Sequence, residues 1–119
     1  MSAESAQVIS EFYTAASSDI DAAALFWYVR NKIFFDNNLQ CDDRVMLCKY
    51  EDLVSRPEAV VSKLYGFMGG DEFDSRVVAG VHAKSVSKGS GVSLSSEVNT
   101  LCNELMQRMD DLYESPDAR

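Results

Sequence analysis

Positive charge is what this sequence has too little of: eleven lysines and arginines stand against nineteen aspartates and glutamates, a formal net charge of −8. That surplus repels phosphate backbones and anionic membrane surfaces unless a local basic patch overrides it, so nucleic acid is not an expected partner. Cysteine is scarce. Cys41, Cys48 and Cys102 are odd in number and lack any CxxC spacing, which argues against a disulfide framework or a zinc site and suits a reducing cytoplasm. Long hydrophobic runs are missing too: the longest, Ala22 to Val29, falls far short of the roughly 20 apolar residues that cross a bilayer. Glu4 and Glu11 near the start, with no basic segment before an apolar one, give no sign of an export signal. No membrane-spanning segment is therefore expected. Histidine occurs once, at His82, and tryptophan once, at Trp27.

What is present is ordinary globular material. Apolar residues make up 46% and charged residues 25% of 119, a length that fits one domain burying about two thirds of its unfolded surface. Val8, Ile9, Phe12 and Ala16 fall on one stripe at spacings of three and four, which predicts a helix over 3–16. After Ser17 and Ser18, Asp19 or Asp21 is placed to cap a second helix over 20–39. That helix carries Phe26, Trp27, Tyr28, Phe34 and Phe35 beside Leu25, Val29 and Ile33. A helix apolar on more than one face needs two things to touch.

Val45 to Tyr50 reads as a strand within 44–50, apolar enough for burial on both faces, with Val45 and Leu47 as its interface or core candidates. One strand makes no sheet. Its backbone is expected to pair across a two-fold axis in a homodimer, or else with a protein partner. Pro57 in the first turn, with Val60, Val61, Leu64, Tyr65, Phe67 and Met68 after it, predicts a helix over 57–69 stopped by Gly69 and Gly70. Phe73, Val77, Val78 and Val81 predict a shorter helix over 71–82, and the Ser-, Gly- and Lys-rich residues 83–92 a mobile loop. Leu94, Val98, Leu101, Leu105, Met109 and Leu112 predict a last helix over 93–114, opened by Ser93 or Ser95, before a frayed tail at 115–119. The expected fold is mainly α: about five helices and one short strand in a single domain.

The run RVMLCKYEDLVSRPEAVVSKLYGFMG, Arg44 to Gly69, carries a more specific signal. A strand leading into Tyr50, Glu51, Asp52 and Leu53, then Pro57 and Glu58 opening a helix that ends in Phe67, Met68 and Gly69, resembles the sulfotransferase family. The likeness extends over roughly residues 20–113, is specific over 44–69, and touches the family's C-terminal region again in LSSEVNTLCNELMQRM. It implies the C-terminal portion of an α/β sulfotransferase fold, in which Tyr50 to Leu53, Pro57 and Glu58 are structural. It also implies what is missing. Complete members cradle the sulfuryl donor with a Gly- and Lys-containing loop, an Arg and Ser pair and an upstream base, and none of these has a counterpart in this sequence.

Neither catalysis nor a bound cofactor is therefore expected. The loop HAKSVSKGSG concentrates the positive charge; Lys88 and Gly89 echo part of the family's nucleotide-touching string, which makes Lys84, Lys88 and Gly89 weak anion-site candidates against the plainer reading of a solvated linker. His82 has no neighbouring carboxylate in sequence to orient it as a base, and reads as a helix-end histidine. The cysteines read as core thiols, and Asp42–Asp43, Asp71–Glu72–Asp74 and Asp110–Asp111 lack the spacing of a calcium loop. Trp27, Tyr28, Phe34 and Phe35, with Tyr65 and Phe67, could line an apolar pocket, but core packing and an interface explain them better. The resulting expectation is a sulfotransferase-like association module without a donor site; the alternative is a subunit of a split sulfotransferase whose partner chain supplies the donor loop.

Overall fold

The computed structural model describes residues 1–14, 17–70, 72–84 and 91–115. In chain order these form α1 (Ala3–Phe12), α2 (Asp19–Asp36), a 3-10 turn (Leu39–Cys41), α3 (Tyr50–Ser55), α4 (Pro57–Phe67), a second 3-10 turn (Ser75–Val78) and α5 (Ser96–Glu114). The mainly helical class is as expected. By its contacts the chain divides into two compact units, Met1–Val45 with Gly91–Arg119, and Met46–Ser90.

The first unit is a layer of three helices. Leu25, Tyr28 and Phe35 of α2 bury themselves against Val98, Cys102 and Leu105 of α5, and Val8, Ile9 and Phe12 of α1 close the cluster. The α5 side chains that meet α2 follow one another by fours and threes from Val98 through Met109 and Leu112, so a single stripe stays turned toward its neighbour. Burying each such side chain stabilises the fold by about 1.5–3 kcal/mol relative to exposure. The helix ends depart from expectation for local reasons. Ser18, not Asp19 or Asp21, caps α2, its hydroxyl accepting from the Asp21 amide at 3.1 Å. Asp21 looks elsewhere: its Oδ1 accepts from the Ser95 amide at 2.9 Å, tying the start of α5 to the start of α2. α2 ends at Asp36 because Asn38 adopts φ +53°, a left-handed conformation that asparagine tolerates and a helix does not. Leu39 accordingly sits in the 3-10 turn. α1 stops at Phe12, with Tyr13 extended, and Ala16 lies outside the described residues.

The second unit holds α3, α4 and the second 3-10 turn around Val54, Val60 and Val78. No strand occurs among the described residues, which corrects the expectation at 44–50. The Asp42 side chain draws in the Arg44 amide and the Val45 amide closes a turn on the Asp42 carbonyl, so the apolar run begins in a turn. Val45, Met46 and Leu47 are half-buried and Cys48 exposed, whereas a strand covered on both faces would bury all four. Lys49 is extended and Tyr50 enters α3, so the Tyr50 to Leu53 signature opens a helix instead of closing a strand.

α4 starts on Pro57 as expected and ends one turn short of Gly70. The Gly69 amide reaches the Gly66 carbonyl and the Gly70 amide the Tyr65 carbonyl, a Schellman closure that holds Gly69 at φ +79°. The helix expected over 71–82 is replaced by the 3-10 turn. Asp74 accepts from the Arg76 amide at 2.9 Å, a side-chain turn that competes with helix, and Val77 and Val81 are exposed while only Val78 is buried. Asp71 lies outside the described residues, as do 85–90 of the expected loop and 116–119 of the tail. α5 begins at Ser96 on an N-cap Ser95. Among the described residues no helix is long and apolar enough to cross a membrane.

Candidate functional site

The sequence makes α2 apolar on two sides, and the structure covers only one of them. Inward, Leu25, Tyr28 and Phe35 join the core; outward, Ile20, Phe26, Trp27 and Ile33 remain 45%, 60%, 37% and 40% exposed, with Ala23 and Arg30 between them. The intervals of three and four residues put these six on one stripe. Arg30 lies over the Phe26 ring at 4.6 Å from the centroid, covering part of it with a cation. The Asn31 amide is turned back onto the Trp27 carbonyl at 2.8 Å, which leaves Arg30 as the one charged residue among the six.

Beneath that helix lies a charged cluster that the sequence reading passed over. Lys32, 5% exposed, bonds Asp36 at 2.7 Å and Glu4 of α1 at 2.9 Å. Ser5, fully buried, donates to the second oxygen of Asp36 at 3.2 Å. Burial works against the Lys32 ammonium, but its hydrogen bonds to Asp36 and Glu4 outweigh that and hold its pKa above the ordinary lysine value. The Lys32 hydrogen bond holds the Asp36 carboxyl below the usual range, against the opposing pull of burial. The spacing of Lys32 and Asp36 was a readable signal. Burial of the pair was not, because it depends on α1 crossing over α2.

The remaining candidates scatter. Phe34 and Phe35 meet edge-on at 5.1 Å within the core. Tyr65 packs on Phe73 at 5.5 Å, and Phe67 is exposed. Tyr50 and Glu51 are exposed in the first turn of α3, Asp52 pairs with Arg56 at 2.9 Å, and Leu53 is half-buried. Pro57 and Glu58 border an open depression with Arg56, Ser75 and Val78. The exposed His82 accepts from the Lys84 amide at 3.4 Å; Lys84 is exposed, and Lys88 and Gly89 lie outside the described residues. Cys102 is buried, its thiol donating to the Ala24 carbonyl at 3.6 Å, and burial pushes its pKa up, away from nucleophilic use. Cys41 and Cys48 are exposed, which corrects the reading of all three as core thiols. Asp42 and Asp74 are each engaged by an arginine two residues on, and no metal-holding cluster occurs among the described residues.

Compared with known proteins, the chain matches no family model, no curated protein and no solved structure. The likeness to sulfotransferases therefore rests on the residues quoted from the sequence alone.

Proposed function

We propose that this chain is a non-catalytic association module, sulfotransferase-like over residues 44–69, that pairs with a second copy of itself through the outer stripe of α2. The observation that carries this is the spacing of the exposed residues. Ile20, Ala23, Phe26, Trp27, Arg30 and Ile33 form a stripe whose spacing, though not its residue order, is the same from both ends. Laid antiparallel on its own copy, Ile20 meets Ile33, Ala23 meets Arg30 and Phe26 meets Trp27, and each pair occurs twice about the two-fold axis. A self-complementary patch of this kind is what an isologous dimer needs. Charge agrees: Arg30 opposite Ala23 comes within one turn of the partner copy's Asp19 and finds an opposite sign there. The stripe is about 20 Å long at 1.5 Å per residue, which puts the interface at the small end of stable ones and the affinity in the micromolar range. Pairing through the 44–50 segment is not part of this reading, since that segment forms no strand.

Trp27 is the only tryptophan and reports on its own burial. Its emission is expected to move to shorter wavelength as protein concentration rises, and to stay at its low-concentration position in Phe26→Glu, which places a charge where the partner's Trp27 would sit. Emission independent of concentration in the wild-type chain contradicts the pairing. The non-catalytic half of the reading rests on the donor-cradling motifs for which the sequence has no counterpart. A calorimetric titration with 3′-phosphoadenosine 5′-phosphate tests it: no heat is expected, and binding at about −8 kcal/mol, a micromolar Kd, would overturn it.

A further inference from the structure

α1 joins the first unit on terms unlike those of α2 and α5. It has 10 residues, too few for a helix to persist in water without a neighbour to lean on. Its one buried residue is Ser5, a polar one, while Val8, Ile9 and Phe12 are only partly buried against the core. Polar links complete the docking: Glu4 reaches Lys32 at 2.9 Å, and Ser5, itself receiving from Ser2 at 3.0 Å, donates to Asp36 at 3.2 Å. α2 and α5 hold each other by other means. Leu25, Tyr28 and Phe35 meet Val98, Cys102 and Leu105, the Ser95 amide bonds Asp21 at 2.9 Å, and the Cys102 thiol reaches the Ala24 carbonyl at 3.6 Å, and α1 supplies none of these groups.

The charges are also placed so that α1 can leave. With Glu4 as its only partner, Lys32 would be stranded when α1 lifted. Asp36 lies four residues on in the same helix, 2.7 Å from the ammonium, and stays with it, while both groups regain the water that burial denied them. Glu4 is mostly exposed already. We propose that α1 is a strap: it opens as one unit while α2 and α5 stay packed, and its departure bares an apolar face of that pair, with Lys32 and Asp36 at the end where Glu4 and Ser5 had lain. Openings that cost less than global unfolding belong to elements with little buried apolar surface, and α1 is that element of the first unit.

Native-state hydrogen exchange on the full chain, in urea well below the unfolding midpoint, tests the strap. The amides of Gln7 to Phe12 are expected to share one protection factor, at least about tenfold below those of Tyr28, Lys32, Cys102 and Leu105, and to respond weakly to urea because their opening exposes little surface. Val98→Ala discriminates further. Its missing methyl groups are felt only when α2 and α5 part, so protection is expected to fall at least about tenfold in those two helices and to stay unchanged in α1. Phe26→Glu is expected to leave α1 exchange as in the wild type, so that the strap and the dimer fail separately. Protection that rises step by step along α1 would mean fraying from one end and overturns the strap. So does protection equal to that of α5, or lowered together with it by Val98→Ala, since α1 would then part only when the whole unit unfolds.

Discussion

Lys32 shows how much one residue can matter when its charge is taken out of water. It is nearly inaccessible, and it is tolerable there because Asp36 and Glu4 both reach its ammonium. Such pairs add little net stability, but removing one partner leaves an uncompensated buried charge and costs about 3–5 kcal/mol. Lys32→Met is expected to fall near the low end of that range, since Ser5 still donates to Asp36, and a shift in the urea midpoint measures it. Stability also takes a defined shape with pH. Lys32 is raised above its ordinary 10.5, so its contribution is whole below that value and is lost as pH rises through the folded value. Tyr28 adds to the alkaline loss: burial keeps its phenol protonated above the ordinary 10.0, and the unfolded chain gains once its own tyrosine ionises. Asp36 is held below its ordinary 3.8 by Lys32, so its contribution is whole above 3.8 and lost as pH falls through the folded value. The melting temperature is expected to be level between these limits and to drop beyond each. Asp36→Asn is expected to lower the plateau and shrink the acid drop; an acid limb identical to that of the wild type contradicts the role given to this carboxylate.

Elements are where the sequence was most and least legible. Periodic apolar spacing found α1, α2, α4 and α5 because a buried stripe leaves its period in the sequence whatever it packs on. The ends were harder. Ser18 and Asp19 are both good caps, and Asn38 ends α2 through a left-handed conformation that its type permits without requiring. The apolar run at 45–49 misled because continuous hydrophobicity specifies burial, not strand, and pairing depends on a neighbour the sequence does not name. Asp74 turned a helical pattern into a single 3-10 turn through one side-chain bond. Of the site, the surplus of aromatics on α2 was readable, but which of them face outward was not, because that depends on where α5 packs. The two glycines near the end of α4 offer a contrast. Gly66 lies inside the helix with open space where a side chain would go, so Gly66→Ala is expected to stabilise by about 0.5–1 kcal/mol. Gly69 sits at φ +79°, so Gly69→Ala is expected to cost about 1–2 kcal/mol. Denaturant melts of the two variants that shift the same way would contradict the helix end described.

At the scale of the whole molecule, the net charge of −8 sets the terms on which the two copies of the proposed dimer would meet. Like charge repels over a Debye length of about 8 Å at physiological salt, while the exposed Arg30 to Asp19 contacts proposed across the dimer contribute at most about 1 kcal/mol each. Pairing is therefore expected to tighten as ionic strength rises from low to physiological values, and a dimer that weakens instead would mean that ion pairs, not the apolar stripe, hold it. Sedimentation equilibrium of the wild-type chain and of Phe26→Glu, loaded over the same range of concentrations, tests the central claim most directly. The account predicts a wild-type mass that climbs from 13.2 kDa toward twice that value, with Phe26→Glu remaining at the monomer mass and folded. A wild-type chain that stays at 13.2 kDa throughout, or a Phe26→Glu chain that pairs as the wild type does, would contradict it.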